Sequence, residues 1–282
     1  MKNLQELYLS WCSLTGEDLT YYIAPALCVL PNLVELKLRG LKGLGGYAAL
    51  LAYHFKKMKK LQKLDIGYCK LTGEAMTQIA PALCDLTNLV ELNIRGNDLL
   101  DGSAASWAHH FKKMKNLEKL DFSYCSLTGE DMTHVAPAVC DLPNLVELNL
   151  SENNRLGGSA ASLAHHFKKM KNLQKVDLNC CSLTGEDMTH VVPALCDLPN
   201  LVELNLWGND RLGGSAKTWA HHFKKMKNLQ KVDLNCCSLT GEDMTHVVPA
   251  LCDLPNLVEL NLWGNDRLGG SAKTWAHHFK KM

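Results

Sequence analysis

The sequence lacks any apolar run that approaches the 18 residues a membrane-spanning helix needs. Its opening residues, MKNLQELYLS, contain no apolar signal-peptide core. An excess of one charge is also missing, because 30 Lys and Arg residues balance 29 Asp and Glu residues. A net charge of +1 provides no long-range basic field for nucleic acid or for a membrane surface. We therefore expect a cytoplasmic protein that binds neither nucleic acid nor membranes.

Cys-x-x-Cys pairs are absent as well, which excludes zinc-ribbon and thioredoxin-type motifs although the chain has 12 cysteines. In a long chain without an export signal, reduced thiols are expected instead of disulfides. Most of these cysteines recur at two fixed places of a repeat and are expected to be buried as small hydrophobic residues. Cys180 and Cys236 fall at a place predicted to face solvent, so we expect them to react first with a thiol reagent.

Catalytic and metal-binding patterns are also lacking. The adjacent histidines of pairs such as His221-His222 point in different directions on a helix, which is unfavourable for holding one metal ion. The glycine turn before Ser215 precedes a helix and could bind an anion, but it lacks the phosphate-binding pattern G-x-x-x-x-G-K-[ST]. The carboxylates of Glu186 and Asp187 lie in the predicted first turn of a helix, where acids favour the helix dipole. We expect no enzyme, no catalytic residue, no metal and no cofactor.

An internal repeat dominates what is present. The segment that begins at Met1 recurs from Met58, Met114, Met170 and Met226. It defines five double repeats, 1–57, 58–113, 114–169, 170–225 and 226–282, of which the first has one extra residue within 17–24. Each double repeat divides into two halves of 28 residues, half A and half B. Ten similar repeats along one chain predict a stacked repeat fold.

Both halves carry the pattern L-x-x-L-x-L-x-x-[N/C], as in Leu201, Leu204, Leu206 and Asn209. The alternating part of this pattern predicts a short strand with one buried face, and a helical spacing of apolar residues follows it. In half A, Thr184 and Asp187 form a capping-box pattern, and a proline lies inside the predicted helix. In half B, Ser215 is predicted to be the N-cap.

These motifs resemble the leucine-rich repeat family over the whole chain. Their length and the tail L-T-x-x-x-M-x-x-V-x-x-A-L-x-x-L-P resemble the ribonuclease-inhibitor-like subclass, which includes the repeats of NOD-like receptors. The resemblance implies an α/β fold, a leucine-rich-repeat solenoid or horseshoe with parallel strands on the concave face and helices on the convex face. It implies a single solenoid over 1–282.

Residues that follow the predicted strands are the candidates for partner binding. The third place of the pattern alternates Glu and Lys from one half to the next, which favours a soluble face without a specific ligand. The seventh and eighth places instead hold aromatic and charged residues, types that contribute most binding energy in interfaces. They are Trp11, Arg39, Tyr68, Arg95, Tyr124, Glu152, Trp207 and Trp263. An alternative is that the aromatic rings lie flat beside turn glycines and only cover the edge of the core.

Residues 170–225 and 226–281 are identical at every position. Natural arrays usually diverge, so this identity favours recent duplication or an array assembled by design. The chain has no distinct polar capping repeat, from which we expect self-association through uncapped ends. The sequence leaves two functions open. One is a non-enzymatic, engineered or duplicated scaffold that recognises a protein ligand on its concave face, and the other is a ligand-sensing fragment of a NOD-like innate immune receptor.

Overall fold

The computed structural model describes residues 3–281 of the chain. Their contacts form two compact units, of which the first ends at Leu145 and the second begins at Val146. We call them unit 1 and unit 2 and describe each by itself. The assignment of 1–282 to one solenoid therefore stays a prediction. No helix within the described range is both long enough and apolar enough to cross a membrane.

Each unit contains five short strands, one for each repeat. The strands of unit 1 are β1 (Glu6–Tyr8), β2 (Glu35–Lys37), β3 (Lys63–Asp65), β4 (Glu91–Asn93) and β5 (Lys119–Asp121). Those of unit 2 are β6 (Glu147–Asn149), β7 (Lys175–Asp177), β8 (Glu203–Asn205), β9 (Lys231–Asp233) and β10 (Glu259–Asn261). Within a unit each strand pairs in parallel with the next, and equal places of the pattern lie opposite each other, as Glu203 lies opposite Lys231.

Helices alternate with the strands, as predicted. Unit 1 contains α1 (Ala24–Leu27), α2 (Ala48–Phe55), α3 (Gly73–Cys84), α4 (Ala104–Trp107) and α5 (Gly129–Cys140). Unit 2 contains α6 (Ala160–Phe167), α7 (Gly185–Leu195), α8 (Ala216–Trp219), α9 (Gly241–Cys252) and α10 (Ala272–Trp275). The half-A helices α3, α5, α7 and α9 are 11 or 12 residues long and include the predicted internal proline. Three of the half-B helices are a single turn followed by a 3-10 segment, as at Ala220–Lys225 after α8.

The core lies between the strands and the helices. Leu201, Leu204 and Leu206 are at most 2% exposed, which confirms that the first, fourth and sixth places of the pattern point inward. The half-B helix adds Trp219, which is fully buried. Its indole Nε1 donates a hydrogen bond to Ser215 Oγ at 2.8 Å, so burial leaves no unpaired polar atom on this ring.

A buried asparagine closes the turn after four of the five half-B strands, and the first double repeat has Leu41 at this place. The Asn209 side-chain oxygen accepts the N–H groups of Cys181 and Leu183, at 3.2 and 2.8 Å. Its amide nitrogen donates to the carbonyls of Leu178 and Leu206, at 3.0 and 2.7 Å. These four bonds satisfy a fully buried amide and tie one repeat to the preceding one. The half-A equivalent, Cys181, makes a weaker tie through its thiol to the Leu150 carbonyl.

The predicted capping box is confirmed at the start of α7. Thr184 Oγ1 accepts the N–H of Asp187, whose carboxylate accepts the N–H and the hydroxyl of Thr184. The same carboxylate also accepts the N–H groups of Gly158 and Ala160, at 2.8 and 3.1 Å, from the preceding repeat. Burial alone would raise the pKa of Asp187, but these hydrogen bonds outweigh it and hold the pKa below its ordinary value.

The prediction that Ser215 caps the half-B helix is wrong. Its side chain makes no capping bond and donates to the Leu212 carbonyl instead. The start of the helix is instead tied to the following repeat, where the Asp243 carboxylate accepts the N–H groups of Gly214 and Ala216, at 2.7 and 2.9 Å. This carboxylate also occupies the helix start that the sequence left open as an anion site.

The extra residue of the first double repeat lies in a π-helix, Asp18–Ile23, which precedes α1. A single inserted residue widens one helical turn in this way without shifting the residues on either side. Thr20 is buried and its hydroxyl donates to the Gly16 carbonyl at 2.7 Å. Tyr21 and Tyr22 are displaced outward and are exposed.

Candidate functional site

The exposed face of the sheet carries the predicted ladder of alternating charge. In unit 1, Lys63 lies 3.9 Å from Glu35 and 3.7 Å from Glu91. In unit 2, Lys175 lies 3.3 Å from Glu203. Apart from the buried Glu35, these side chains are partly exposed and reach water, so each such pair contributes under about 1 kcal/mol to stability. The third place therefore keeps the face soluble and carries little specificity.

The eighth place adopts a left-handed backbone in both halves. Half B uses glycine there, at Gly40, Gly96, Gly208 and Gly264, with φ between 72° and 75°. Half A, and one half-B repeat, use residues with side chains at φ between 49° and 60°, namely Trp11, Tyr68, Tyr124, Cys180, Cys236 and Glu152. Left-handed backbone is unfavourable for such residues, so every one of these positions carries some strain.

In unit 1 the predicted aromatic and arginine residues form a continuous strip. The ring of Tyr68 lies 5.9 Å from that of Trp11 and 6.4 Å from that of Tyr124, nearly parallel to the latter. The Arg39 guanidinium lies 4.6 Å above the Tyr68 ring, and Arg95 Nε donates to the Tyr68 hydroxyl at 3.0 Å. The structure thus brings five of the candidate residues together, and their rings and charged groups contact one another.

The strip also covers turn glycines, which was the alternative interpretation of these aromatics. A methyl group placed on Gly40 would lie 2.3 Å from the ring of Trp11, and one on Gly96 would lie 2.6 Å from that of Tyr68. Glycine is therefore needed at both positions, because a side chain there would clash with the ring above it. In unit 1, part of the aromatic surface is used to cover the backbone of the next repeat.

Unit 2 places its aromatics differently. Trp207 and Trp263 occupy the seventh place and are 40% and 75% exposed. Neither ring stacks on another ring within the described residues. The eighth place is taken by Cys180 and Cys236, whose sulfurs lie over Gly208 and Gly264 where unit 1 has rings over glycine. The tryptophans therefore have exposed surface that no other ring or cation of the described residues covers.

Charge also separates the two units. At the third, fifth, seventh and eighth places unit 1 has five acidic and five basic residues. The same places in unit 2 have six acidic residues and two basic ones, Glu147, Glu152, Asp177, Glu203, Asp233 and Glu259 against Lys175 and Lys231. The sheet face of unit 2 is therefore acidic, and Glu152, the remaining candidate residue, contributes to that charge.

The cysteines follow the prediction only in part. The strand-end cysteines Cys69, Cys125, Cys181 and Cys237 are buried, and burial raises the pKa of Cys69 to about 12. The helix cysteines are mostly only partly buried, although burial still raises the pKa of Cys84 to about 11. Cys180 is half-buried, and burial, followed by the nearby Glu152, raises its pKa. Cys12 is exposed, whereas Cys180 and Cys236 are only partly exposed, so a thiol reagent can also reach Cys12.

The histidine pairs lie at the edge of the core on the helix side. In two of the pairs the second members, His110 and His222, are largely covered, and their Nδ1 atoms are buried without a hydrogen bond within the described residues. Burial is the main cause of the lowered pKa of His110, and His109 and Lys113 add to it. Residues 3–281 hold no group of three His, Cys, Asp or Glu side chains that could bind a metal ion.

One open groove lies on the helix side of unit 2, with a volume of about 370 Å³. It is lined by α6 and α7 through residues that include His165, Lys168, His190 and Asp197. No pattern in the sequence indicates this groove, because its lining residues come from two halves of the repeat.

Comparison with known proteins agrees with this architecture. Models described as Leucine Rich Repeat match residues 3–21 and 116–136, and a model described as Leucine Rich repeat matches 57–80. The crystal structure of the leucine-rich repeat-containing protein LegL7 from Legionella pneumophila is similar over 99% of this chain and 90% of that chain. The TM-score is 0.58 at 16% identity, which bears on the fold alone.

Curated proteins give the same result at the level of sequence. The chain is 27% identical over 267 residues to human NACHT, LRR and PYD domains-containing protein 14, across 93% of this chain and 24% of that protein. It is 28% identical over 273 residues to the ribonuclease inhibitor of Sus scrofa, across 95% of this chain and 59% of that protein. The chain thus spans a quarter to three fifths of the length of these relatives.

Parallel strands, alternating helices and a 28-residue period define a leucine-rich-repeat fold, and leucine-rich-repeat models match three segments of the chain. Its repeats are of the type found in ribonuclease inhibitor and in the NACHT, LRR and PYD proteins.

Proposed function

We propose that the chain is a non-enzymatic scaffold that recognises a protein partner on the exposed face of its sheet. The observation that supports this most directly is the exposure of Trp207 and Trp263, at 40% and 75%, on strand ends held by backbone hydrogen bonds. Large exposed aromatics on a rigid surface are the side chains that anchor interfaces. The strip of Trp11, Arg39, Tyr68, Arg95 and Tyr124 offers a second contact area, of which part is used internally.

The second candidate function is a ligand-sensing part of a larger protein. It is supported by the relatives whose names include NACHT and PYD domains, since the matching region is 24% of the length of the human protein. Both proposals place recognition on the same sheet face. They differ in what is attached to the repeats, which a longer reading frame with a phosphate-binding loop would decide in favour of the receptor.

The test compares the native chain with W207S/W263S, in which both tryptophans are replaced by the residue found at the equivalent Ser151. Proteins captured by the native chain are identified, and the affinity of each is measured by calorimetry for both forms. We expect the substitution to weaken the partner by more than about 1 kcal/mol while circular dichroism is unchanged. V258S, which alters an exposed apolar residue outside the seventh and eighth places, is the control. Equal affinities for native and W207S/W263S would remove these anchors.

A further inference from the structure

We propose that Trp207 and Trp263 form the two walls of a slot that binds an arginine side chain of a basic partner segment, with Asn235 as its floor. This inference rests on the proposed function and specifies the chemistry that the sheet face of unit 2 recognises. It is carried by the strand spacing between the two tryptophans, by their exposure without a ring or cation partner among the described residues, and by the acidic charge beside them.

The spacing is fixed by the backbone. Trp207 and Trp263 occupy the same place in repeats two strands apart, and Asn235 occupies it in the repeat between them. Hydrogen bonds continue past the strand ends here, from Gly208 N to Asn235 O at 2.9 Å and from Cys236 N to Trp263 O at 2.8 Å. Two strand spacings place the backbones of Trp207 and Trp263 about 10 Å apart, with both side chains at the same place of the repeat. A cation midway lies about 5 Å from each wall, within the distance of about 6 Å at which a cation interacts with an aromatic ring.

Unit 1 contains an aromatic ring that already has an arginine side chain stacked on it. There the Tyr68 ring has the Arg39 guanidinium 4.6 Å from its centre and stacks on Tyr124. The tryptophans of unit 2 have no such partner within the described residues. The repeats on either side of Trp207 have Asn179 and Asn235 at the seventh place. In unit 1, two repeats separated by one other repeat have Arg39 and Arg95 at that place. The slot therefore has the aromatic component of the unit 1 contact and lacks its guanidinium.

The charge beneath the slot is acidic and already positioned. The Asp233 carboxylate accepts from the side-chain amides of Asn235 and Asn261, at 3.4 and 3.3 Å. The Asn235 side-chain oxygen accepts the N–H of Trp263 at 2.6 Å, which fixes the floor relative to one wall. Six carboxylates against two ammonium groups on this face attract a cation. Arginine fits better than lysine because its planar, weakly hydrated guanidinium stacks on aromatic faces.

The experiment measures binding of fluorescein-labelled hexa-arginine to the full chain by anisotropy, at a fixed ionic strength. Hexa-lysine and hexa-citrulline are the matched probes, since the first keeps the charge and the second keeps the planar shape. We expect hexa-arginine to bind at least tenfold more tightly than either. W207S/W263S should weaken hexa-arginine at least tenfold and leave hexa-lysine within twofold. V258S, which alters an exposed apolar residue of unit 2 outside the seventh and eighth places, should change neither.

Equal affinities for hexa-arginine and hexa-lysine, or unchanged hexa-arginine binding to W207S/W263S, would overturn the slot and leave only a diffuse acidic surface. Circular dichroism and the urea midpoint show whether W207S/W263S is folded, and the single variant W263S serves if it is not, because Trp263 is the more exposed of the two. A captured protein that depends on both tryptophans but is not displaced by hexa-arginine would refute the slot while the proposed function stands. If no captured protein depends on them, the proposed function fails whatever hexa-arginine does.

Discussion

At the residue scale, the eighth place decides what each repeat presents to solvent. Its left-handed backbone is natural for glycine, yet half A keeps a side chain there that lies over the glycine of the next repeat, as Cys180 does over Gly208. The side chain and the glycine are therefore a matched pair. Glu152 departs from this rule, because it is the half-B residue that has a side chain at φ 60°.

This departure gives a prediction. We expect E152G to raise the free energy of unfolding by about 0.5–1 kcal/mol, because relief of left-handed strain exceeds the entropy that glycine adds to the unfolded chain. The matched control is G208E, in which a new Cβ would lie 2.6 Å from Cys180 Sγ in a left-handed position. It should lower stability by more than about 1 kcal/mol. Urea unfolding measures both, and a destabilised E152G would show that the Glu152 side chain makes a contact worth more than its strain.

Residue identity alone could predict which places face solvent but not what the side chains do there. Tyr68 and Trp207 both appear in the sequence as aromatic residues beside a strand end. In the structure the Tyr68 ring is held by Arg39, Arg95 and Tyr124, whereas Trp207 is exposed and has no ring or cation partner among the described residues. The difference comes from neighbours that are 27 to 56 residues away in the chain, and no local pattern records them.

At the element scale, the capping boxes join repeats as well as helices. Asp187 accepts four hydrogen bonds, two from Thr184 and two from the preceding repeat. The sequence predicted the first two, because Thr184 and Asp187 are three residues apart. It could not predict the other two, since Gly158 and Ala160 donate from a different half of the repeat.

We predict that D187A lowers the free energy of unfolding by about 2–4 kcal/mol at pH 7, since a cap is lost and two N–H groups of the preceding repeat lose their acceptor. The matched control E186A removes an exposed carboxylate from the same helical turn and should cost less than about 0.5 kcal/mol. Urea unfolding of the three proteins measures both differences. Similar losses for the two variants would show that the inter-repeat bonds of Asp187 contribute little.

The same carboxylates predict how stability depends on pH. The pKa values of Asp131, Asp187 and Asp243 are lower in the folded chain than their ordinary value of 3.8, so folding favours their ionised form. Their contribution is complete above the unfolded pKa and is lost as the pH falls through the folded pKa values. We expect the urea midpoint to fall below about pH 4, and to fall less steeply in D187A. Parallel profiles for native and D187A would contradict this assignment.

The π-helix supports a third prediction at this scale. Deletion of Tyr22 restores the 56-residue length and an ordinary helical turn, and it removes an exposed side chain. We expect the free energy of unfolding to stay within about 0.5 kcal/mol of the native value or to increase. The matched control is deletion of Gln78, which shifts the buried Ile79 and Leu83 in α3 and should cost more than about 3 kcal/mol. A large loss on deletion of Tyr22 would show that the wider turn is needed for packing.

At the scale of the whole molecule, the order of the halves matters more than their number. Stability in a repeat array comes from each repeat and from its contacts with its neighbours. Here those contacts alternate, because the half-A aspartate bonds to the half-B turn before it, and the half-B asparagine bonds to the half-A turn before it. The repeat period and the leucine pattern are readable from the sequence, but this alternation of contacts is visible only in the structure.

Two deletions within unit 2 test the alternation. Removal of 170–225 joins Lys169 to Met226, a junction identical in sequence to Lys225–Met226, so every half still follows its normal neighbour. Removal of 170–197 deletes half A alone and leaves the N–H groups of Gly158 and Ala160 without the Asp187 carboxylate. We expect the protein that lacks 170–197 to be less stable than the one that lacks 170–225 by at least about 2 kcal/mol, because buried N–H groups lose their acceptors.

The protein that lacks 170–225 should fold cooperatively, with a urea m-value reduced by about a fifth in proportion to the surface lost. Urea unfolding followed by circular dichroism measures both, and a variant lacking 170–197 that is as stable as the one lacking 170–225 would show that the two halves are interchangeable.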